Sequence, residues 1–385
     1  MPESAAEYLP RMFRHFAEHE FTGSSPRYEW LAGFLADRPA LAAPLLAAPR
    51  TQQRAILYFA AVQYLLRTVA AGHPLAGYLP VLGGHRPVDD GFGAAFTDLV
   101  TTHAAELERL CGTRRTQTNE ARRAALLRPG FGRGAELVGD RSLALIELGT
   151  SAGLLLLLDR YGYRYTSPDR TLVTGRADAP AELVMACEVR TGWPDPAEHP
   201  VTVADRAGID ATPIDPTDPT AVDWLRSCIW PEHTERLARL DAALAEAVVL
   251  RPRLLTGDMV DTLPTVLSTV DSDAVPCVFA SNAVNYLPPE ATGRLVDLLA
   301  DTGRRRDLLI LLNEGSRFGA ELFLPERPAE AGPPGVLAVG LLTLVAWRNG
   351  RATVEVLART GPHGEWMVWL PREYPYAPPH SRSTT

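Results

Sequence analysis

The sequence contains no lysine: all 38 basic residues are arginine. This excludes Schiff-base catalysis, a phosphate-loop lysine and a lysine general base. Cysteine is scarce. Cys111, Cys187, Cys228 and Cys277 lie far apart and form no C-x-x-C pair, so neither a zinc knuckle nor a redox motif is expected, and the thiols are expected to be free. His15 and His19 stand one helical turn apart without acidic or thiol partners, so no metal site is expected. No apolar run reaches the ~20 residues of a bilayer span; the longest candidate, "AILYFAAVQYLLRTVA" (Ala55–Ala70), is broken by Gln63 and Arg67. Met1–Glu20 lacks a basic segment followed by an apolar one, so no secretory signal and a cytoplasmic location are expected. Positive charge is in deficit as well. The net charge of -8 argues against nucleic acid or an anionic membrane as partner and leaves a small molecule as the expected one; oligomeric state is not legible.

Two patterns occupy the 385 residues. Residues 1 to about 130 read as a helical domain. "SSPRYEWLAGFLAD" places Ser25 as an N-cap with Pro26 at the first helical position. "RPALAAPLLAAP" reads as a short helix, Thr51 as the cap of the Ala55 helix, and Phe92–Leu110 and Gln117–Leu127 as amphipathic helices. "RPGFGRG" (Arg128–Gly134) is the most glycine-rich break, and the domain boundary is expected there.

From 131 to 385 short β-rich runs ("ALIEL", "PVTVADRAGID", "PRLLTGDMV", "VPCVFASN", "RRDLLILLNEG") alternate with helical stretches. That alternation predicts an α/β domain with a doubly wound, mostly parallel sheet. Asn349-Gly350 between two β-rich runs predicts a hairpin, and "EWMVWLP" a further antiparallel strand.

The stretch "ALIELGTSAGLLLLLDRYGYRY" (Ala144–Tyr165) passes from strand through a small-residue turn into an expected helix at Leu154–Tyr161. Three readings stand: a ligand cradle formed by free amides at the helix start, a bare packing turn, or a G-x-S-x-G nucleophile elbow with Ser151 as nucleophile and His363 as the late histidine. Glu147 just before the turn favours the cradle.

"ELGTSAG" resembles the first motif of class I S-adenosylmethionine (SAM)-dependent methyltransferases, an acidic residue followed by alternating glycines, with Ser151 in place of the middle glycine. "AGIDATP", "LLTGDMVDTLP" and "VFASNAVNYLPPE" resemble that family's later strand ends, in the same order. The resemblance covers roughly residues 141–320. It implies a Rossmann-like methyltransferase fold with SAM as cofactor, held by Glu147, Gly149, Thr150, Ser151 and Gly153 at the loop. Asp210 would take the ribose, Asp258 and Met259 the adenine, with Ser281 and Asn282 lining the site. The usual distance from the glycine loop to the ribose carboxylate is about 20 residues. Asp210 lies much further on, an inserted hairpin at about 163–200 accounting for the excess, and Asp169 is its rival. Nearly the whole chain also resembles a large family of unassigned bacterial proteins with a methyltransferase-like core behind a helical region. Its members usually carry Asn where Leu155 stands here.

Methyl transfer is an in-line displacement that needs a base only where the acceptor must lose a proton. The polar strand-end residues are the candidates. Asn285 and Tyr286 follow one strand, and Glu314, a base or amine anchor, follows the next, with Arg317 as a bidentate clamp for a carboxylate. His363 sits before the last strand. Asn119 and Glu120 in "TQTNEARR" and Trp230 in "IWPEH" are candidate substrate contacts from the helical lid, against capping and packing as the ordinary roles of such residues. The expectation is a SAM-dependent enzyme methylating a small metabolite. The alternatives are another SAM-dependent reaction, such as an intramolecular cyclisation, and a non-catalytic scaffold.

Overall fold

The computed structural model describes residues 5–332 and 340–378; the first four residues of the Met1–Glu20 stretch lie outside that range. In chain order the α-helices are α1 (Ala5–Phe16), α2 (Pro26–Ala36), α3 (Ala55–Arg67), α4 (Asp90–Thr102), α5 (Ala104–Thr113), α6 (Ala124–Leu137), α7 (Pro219–Ser227), α8 (Thr234–Leu250), α9 (Met259–Ser268) and α10 (Pro289–Arg305). The strands are β1 (Leu143–Leu148), β2 (Gly162–Thr166), β3 (Thr171–Gly175), β4 (Val184–Thr191), β5 (Val203–Asp210), β6 (Arg253–Thr256), β7 (Val275–Ser281), β8 (Leu308–Glu314), β9 (Gly340–Arg348), β10 (Arg351–Thr360) and β11 (Trp366–Pro375). Among the described residues no helix is long and apolar enough to cross a membrane. All four cysteines are free, and three of them are buried.

The chain divides into two compact units, Met1–Asn119 with Thr217–Asp241, and Glu120–Pro216 with Ala242–Thr385. The division falls upstream of the glycine run, and a later segment joins the N-terminal one.

The first unit is helical around an aromatic core. Phe21 packs against Tyr28, Phe59 and Trp230 with ring centroids 5.5, 5.8 and 5.0 Å apart. The late segment is tied in by polar bonds as well. The buried Gln63 side chain donates to Ile229 O at 2.6 Å, and the Trp224 indole donates to Arg115 O at 2.7 Å. Pro26 does open α2, but the Ser25 hydroxyl donates to Glu232 instead of capping the helix. Thr51 is not a cap either: it sits in a 3-10 turn, and Arg54 precedes α3. "RPALAAPLLAAP" forms a 3-10 helix over Pro39–Ala47, and His103 interrupts the helical run from Phe92.

The second unit is built on one sheet of eleven strands in the order β3-β2-β4-β11-β10-β9-β8-β7-β1-β5-β6. Strands β6-β5-β1-β7-β8 are parallel and run in doubly wound order, reversing at β1. In β1, β7 and β8 the side chains alternate between two apolar faces, so these strands read as nearly continuous apolar runs. Ile146, Val278 and Ile310 face a core shared with α9 and α10, whereas Leu309 and Leu311 meet α6.

That contact with α6 corrects the expected glycine break. Gly130, Gly132 and Gly134 lie inside α6, where a Cβ would stand 2.6 Å from Leu311, 1.8 Å from Pro196 O and 2.8 Å from Leu309. The glycines let the helix press against its neighbours. Antiparallel β9, β10 and β11 complete the centre of the sheet, and the β9–β10 turn has both Asn349 and Gly350 at left-handed φ (51° and 73°). The inserted segment forms the β2–β3 hairpin and β4, which pairs with β11.

Candidate functional site

Ligands of doubly wound sheets bind beyond the carboxyl ends of the strands, where the order reverses. Here that point lies between β1 and β7. The turn after β1 is tightly wound, with Gly149, Ser151 and Gly153 all at left-handed φ (71°, 49° and 72°). Its amides are engaged from within the protein. Gly149 N and Thr150 N donate to Ile209 O at 2.8 and 3.3 Å, Ser151 N to Asp210 Oδ2 at 2.9 Å, and Gly153 N to Thr150 O at 2.8 Å.

Small residues serve close packing here. A Cβ on Gly149 would lie 2.4 Å from that of Ala283, and one on Gly208 would strike Thr150. The expectation of free amides at a helix start is therefore corrected. Leu154–Arg160 is a 3-10 segment with a non-helical Leu157, not an α-helix. Its leucines are buried, and the Tyr161 hydroxyl donates back to Leu154 O at 2.7 Å, so the chain turns directly into β2. This geometry also lacks the strand-to-α-helix junction of a nucleophile elbow.

Carboxylates line the strand ends. Glu147 is buried beside the turn, and Oε2 accepts from the Thr150 hydroxyl at 2.7 Å. Burial pushes its carboxyl up to about 8 against that hydrogen bond, and the charge of Asp210 adds to the rise. Asp210, at the end of β5, accepts through Oδ1 from Thr212 N at 2.9 Å and through Oδ2 from Ser151 N. A carboxylate oxygen has two acceptor sites, so each keeps one open. Asp169 lies in the β2–β3 turn at the far edge of the sheet, with six strands between β2 and β1. Asp258 caps α9 through Oδ1, which accepts from Val260 N and Asp261 N at 2.8 and 3.1 Å. Met259 packs on the core beside α9.

Glu314 ends β8 and is fully buried. Its Oε1 accepts from Ala283 N at 2.7 Å and Val284 N at 3.1 Å, in the turn after β7. Its Oε2 has no hydrogen-bond partner among the described residues. Burial pushes this carboxyl up to about 7, while the amides of Ala283 and Val284, the Arg123 guanidinium and the Asn285 amide pull it down.

Next to it runs a polar row of which only Ser281 was expected from the sequence. The Thr360 hydroxyl donates to Asn313 Oδ1 at 2.7 Å, and Asn313 Nδ2 donates to Ser281 Oγ at 3.4 Å. Gly340 leaves room for this row, since a Cβ there would meet Thr360 Oγ1 at 2.5 Å. The available signal was Asn313 itself, an amide following five apolar residues in β8. Asn282, at left-handed φ, donates its amide to Asn313 O at 3.2 Å.

The turn bearing His363 is tied to the segment after Glu120. Arg122 Nε donates to His363 O at 3.1 Å, Arg123 Nε donates to Pro362 O at 2.9 Å, and Glu120 Oε1 accepts from Arg122 N at 3.0 Å. Arg123 was not singled out in the sequence; it is buried and its charge acts on Glu314. Other expected contacts are dispersed. Asn285 and Tyr286 are exposed, Tyr286 by 80%, and Arg317 is exposed beside Phe318. Asn119 closes the N-terminal segment of the first unit, and in the same unit Trp230 packs on Phe21 and stacks with His233.

Residues 10–369 match the family described as an uncharacterized protein conserved in bacteria (DUF2332). The chain belongs to that family. No curated protein matches the sequence. The family match spans both units.

Proposed function

We propose that the protein is a SAM-dependent enzyme of methyltransferase-like fold, and that its reaction is methyl transfer to a small metabolite. The observation that carries the enzymatic reading is Glu314. A fully buried carboxyl oxygen without a partner costs stability, and packing alone gives no reason to keep it. With Oε1 fixed by two backbone amides, Oε2 keeps the acceptor capacity that a base toward a substrate hydroxyl or amine needs. Strongly shifted carboxyls cluster at functional sites; Glu147 is next to last in β1 and Glu314 last in β8, on either side of β7.

The residues fit the cofactor in part. The open acceptor sites of Asp210 suit a ribose diol. The loop amides do not fit the cofactor's methionine carboxylate, because they already donate to Ile209, Asp210 and Thr150. No step is assigned to the cofactor on this geometry. The same engaged amides, with the 3-10 segment after them, favour a second reading: a methyltransferase-fold scaffold without catalysis.

Calorimetry and thermal shift with SAM separate the two. Heat and stabilisation support the enzyme, and neither supports the scaffold. For a binding protein, product mass with labelled cofactor then distinguishes methyl transfer from a cyclisation or other alkyl transfer.

A further inference from the structure

Helices α2 and α4 of the first unit border a wide-mouthed groove of about 1080 Å³. Its aromatic wall is a stack. Trp30 lies on Phe34 with ring centroids 5.1 Å apart and an interplanar angle of 16°, and Trp30 is 37% exposed. Small residues keep the floor low: a Cβ on Gly33 would meet nothing within 4 Å, while Gly93 sits directly under the two rings.

The groove already shows what such a wall accepts. The Arg38 guanidinium lies over the Phe34 ring, 4.2 Å from its centroid. Around the stack stand Glu29, Asp37, Asp90 and Asp98, and Arg38 is the one basic residue of the lining. Asp37 forms an ion pair with Arg14 at 3.5 Å, and Asp98 a hydrogen bond with His73 Nε2 at 3.0 Å. Glu29 and Asp90 form no ion pair among the described residues.

We propose that this groove docks an arginine-bearing segment of a partner protein, one guanidinium stacking on Trp30 and pairing with Glu29 or Asp90. Three features select that occupant. The groove lies at or above the ~300–1,000 Å³ of small-molecule pockets and is too open to bury most of a small ligand. Its charge is complementary to a basic chain. A planar guanidinium stacks on an aromatic face and forks onto a carboxylate, which an ammonium does less well.

The experiment uses the full chain and fluorescein-labelled hexa-arginine, hexa-lysine and hexa-glutamine peptides, read by anisotropy at low and physiological salt. Hexa-arginine is expected to bind more tightly than hexa-lysine, and hexa-glutamine not at all. Trp30→Ala should weaken the hexa-arginine complex about ten-fold. Ala94→Arg, at an exposed position in the groove, should weaken it at least as much without lowering Tm. The control Asp271→Asn/Asp273→Asn removes exposed charges elsewhere and should leave binding unchanged. Equal binding of the arginine and lysine peptides, an effect of the control as large as that of Ala94→Arg, or no binding at all overturns the proposal.

Discussion

The Ser151 amide lies 2.9 Å from Asp210 Oδ2, so the turn after β1 is pinned to the end of the neighbouring β5. The other oxygen of the same carboxylate takes Thr212 N at 2.9 Å. One side chain thus orders two turns at the point where the strand order reverses.

Asp210→Ala should cost about 1–3 kcal/mol of stability, since two backbone donors lose a charged acceptor. Urea unfolding measures this loss. If Asp210 also holds a ribose, SAM affinity falls by a similar ~1–3 kcal/mol, and Asp210→Asn, which retains one acceptor oxygen, falls in between. An unchanged dissociation constant in calorimetry removes Asp210 from the cofactor site.

Stability should decline as pH rises across a defined window. Burial raises Glu147 from 4.5 to about 8 and Glu314 from 4.5 to about 7. Between those values the folded state holds protons that the unfolded chain has released. The stabilisation from these groups is therefore complete below about 4.5 and is lost as pH climbs through 7 and 8. Urea midpoints measured over this range should flatten in Glu147→Gln and Glu314→Gln; slopes equal to the parent's would contradict the assignment. Glu314→Gln should also abolish any pH-dependent rise in turnover near 7, because the amide keeps an acceptor for Ala283 and Val284 but not the base.

Two helical glycines should respond to alanine with opposite signs. Gly33, with open space around it, should gain about 0.5–1 kcal/mol. Gly132, whose Cβ would lie 1.8 Å from Pro196 O, should lose ~2 kcal/mol or more. Thermal unfolding of the two variants measured side by side tests the packing of α6.

A fluorophosphonate probe should leave Ser151 unlabelled. The residue has the positive φ of 49° that a nucleophile elbow shares, but it leads into a 3-10 segment. Adduct mass at Ser151 would reinstate the hydrolase reading.

The central strands were legible because each is buried on both faces and so reads as a nearly continuous apolar run, and the β9–β10 hairpin because Asn349-Gly350 supplies two left-handed positions. Features set by distant partners were not. Nothing local marks Thr217–Asp241 as part of the first unit; long-range bonds such as Gln63 to Ile229 and Trp224 to Arg115 tie it there. The α6 glycines read as a break because their value lies in the leucines of β8 and the carbonyl of Pro196. At the site, the acidic strand ends Glu147, Asp210 and Glu314 were legible as residue types. The engaged loop amides and the orphan oxygen of Glu314 depend on contacts between strands that no spacing encodes.

The two outer ribbons of this broad sheet are where a whole further strand could be added. These are β3 and β6, five and four residues long, and Arg253 on β6 carries a charge paired with Asp205. Rims so short, one of them bearing a paired charge, are poor templates for strand addition, which protects against fibrillar self-association.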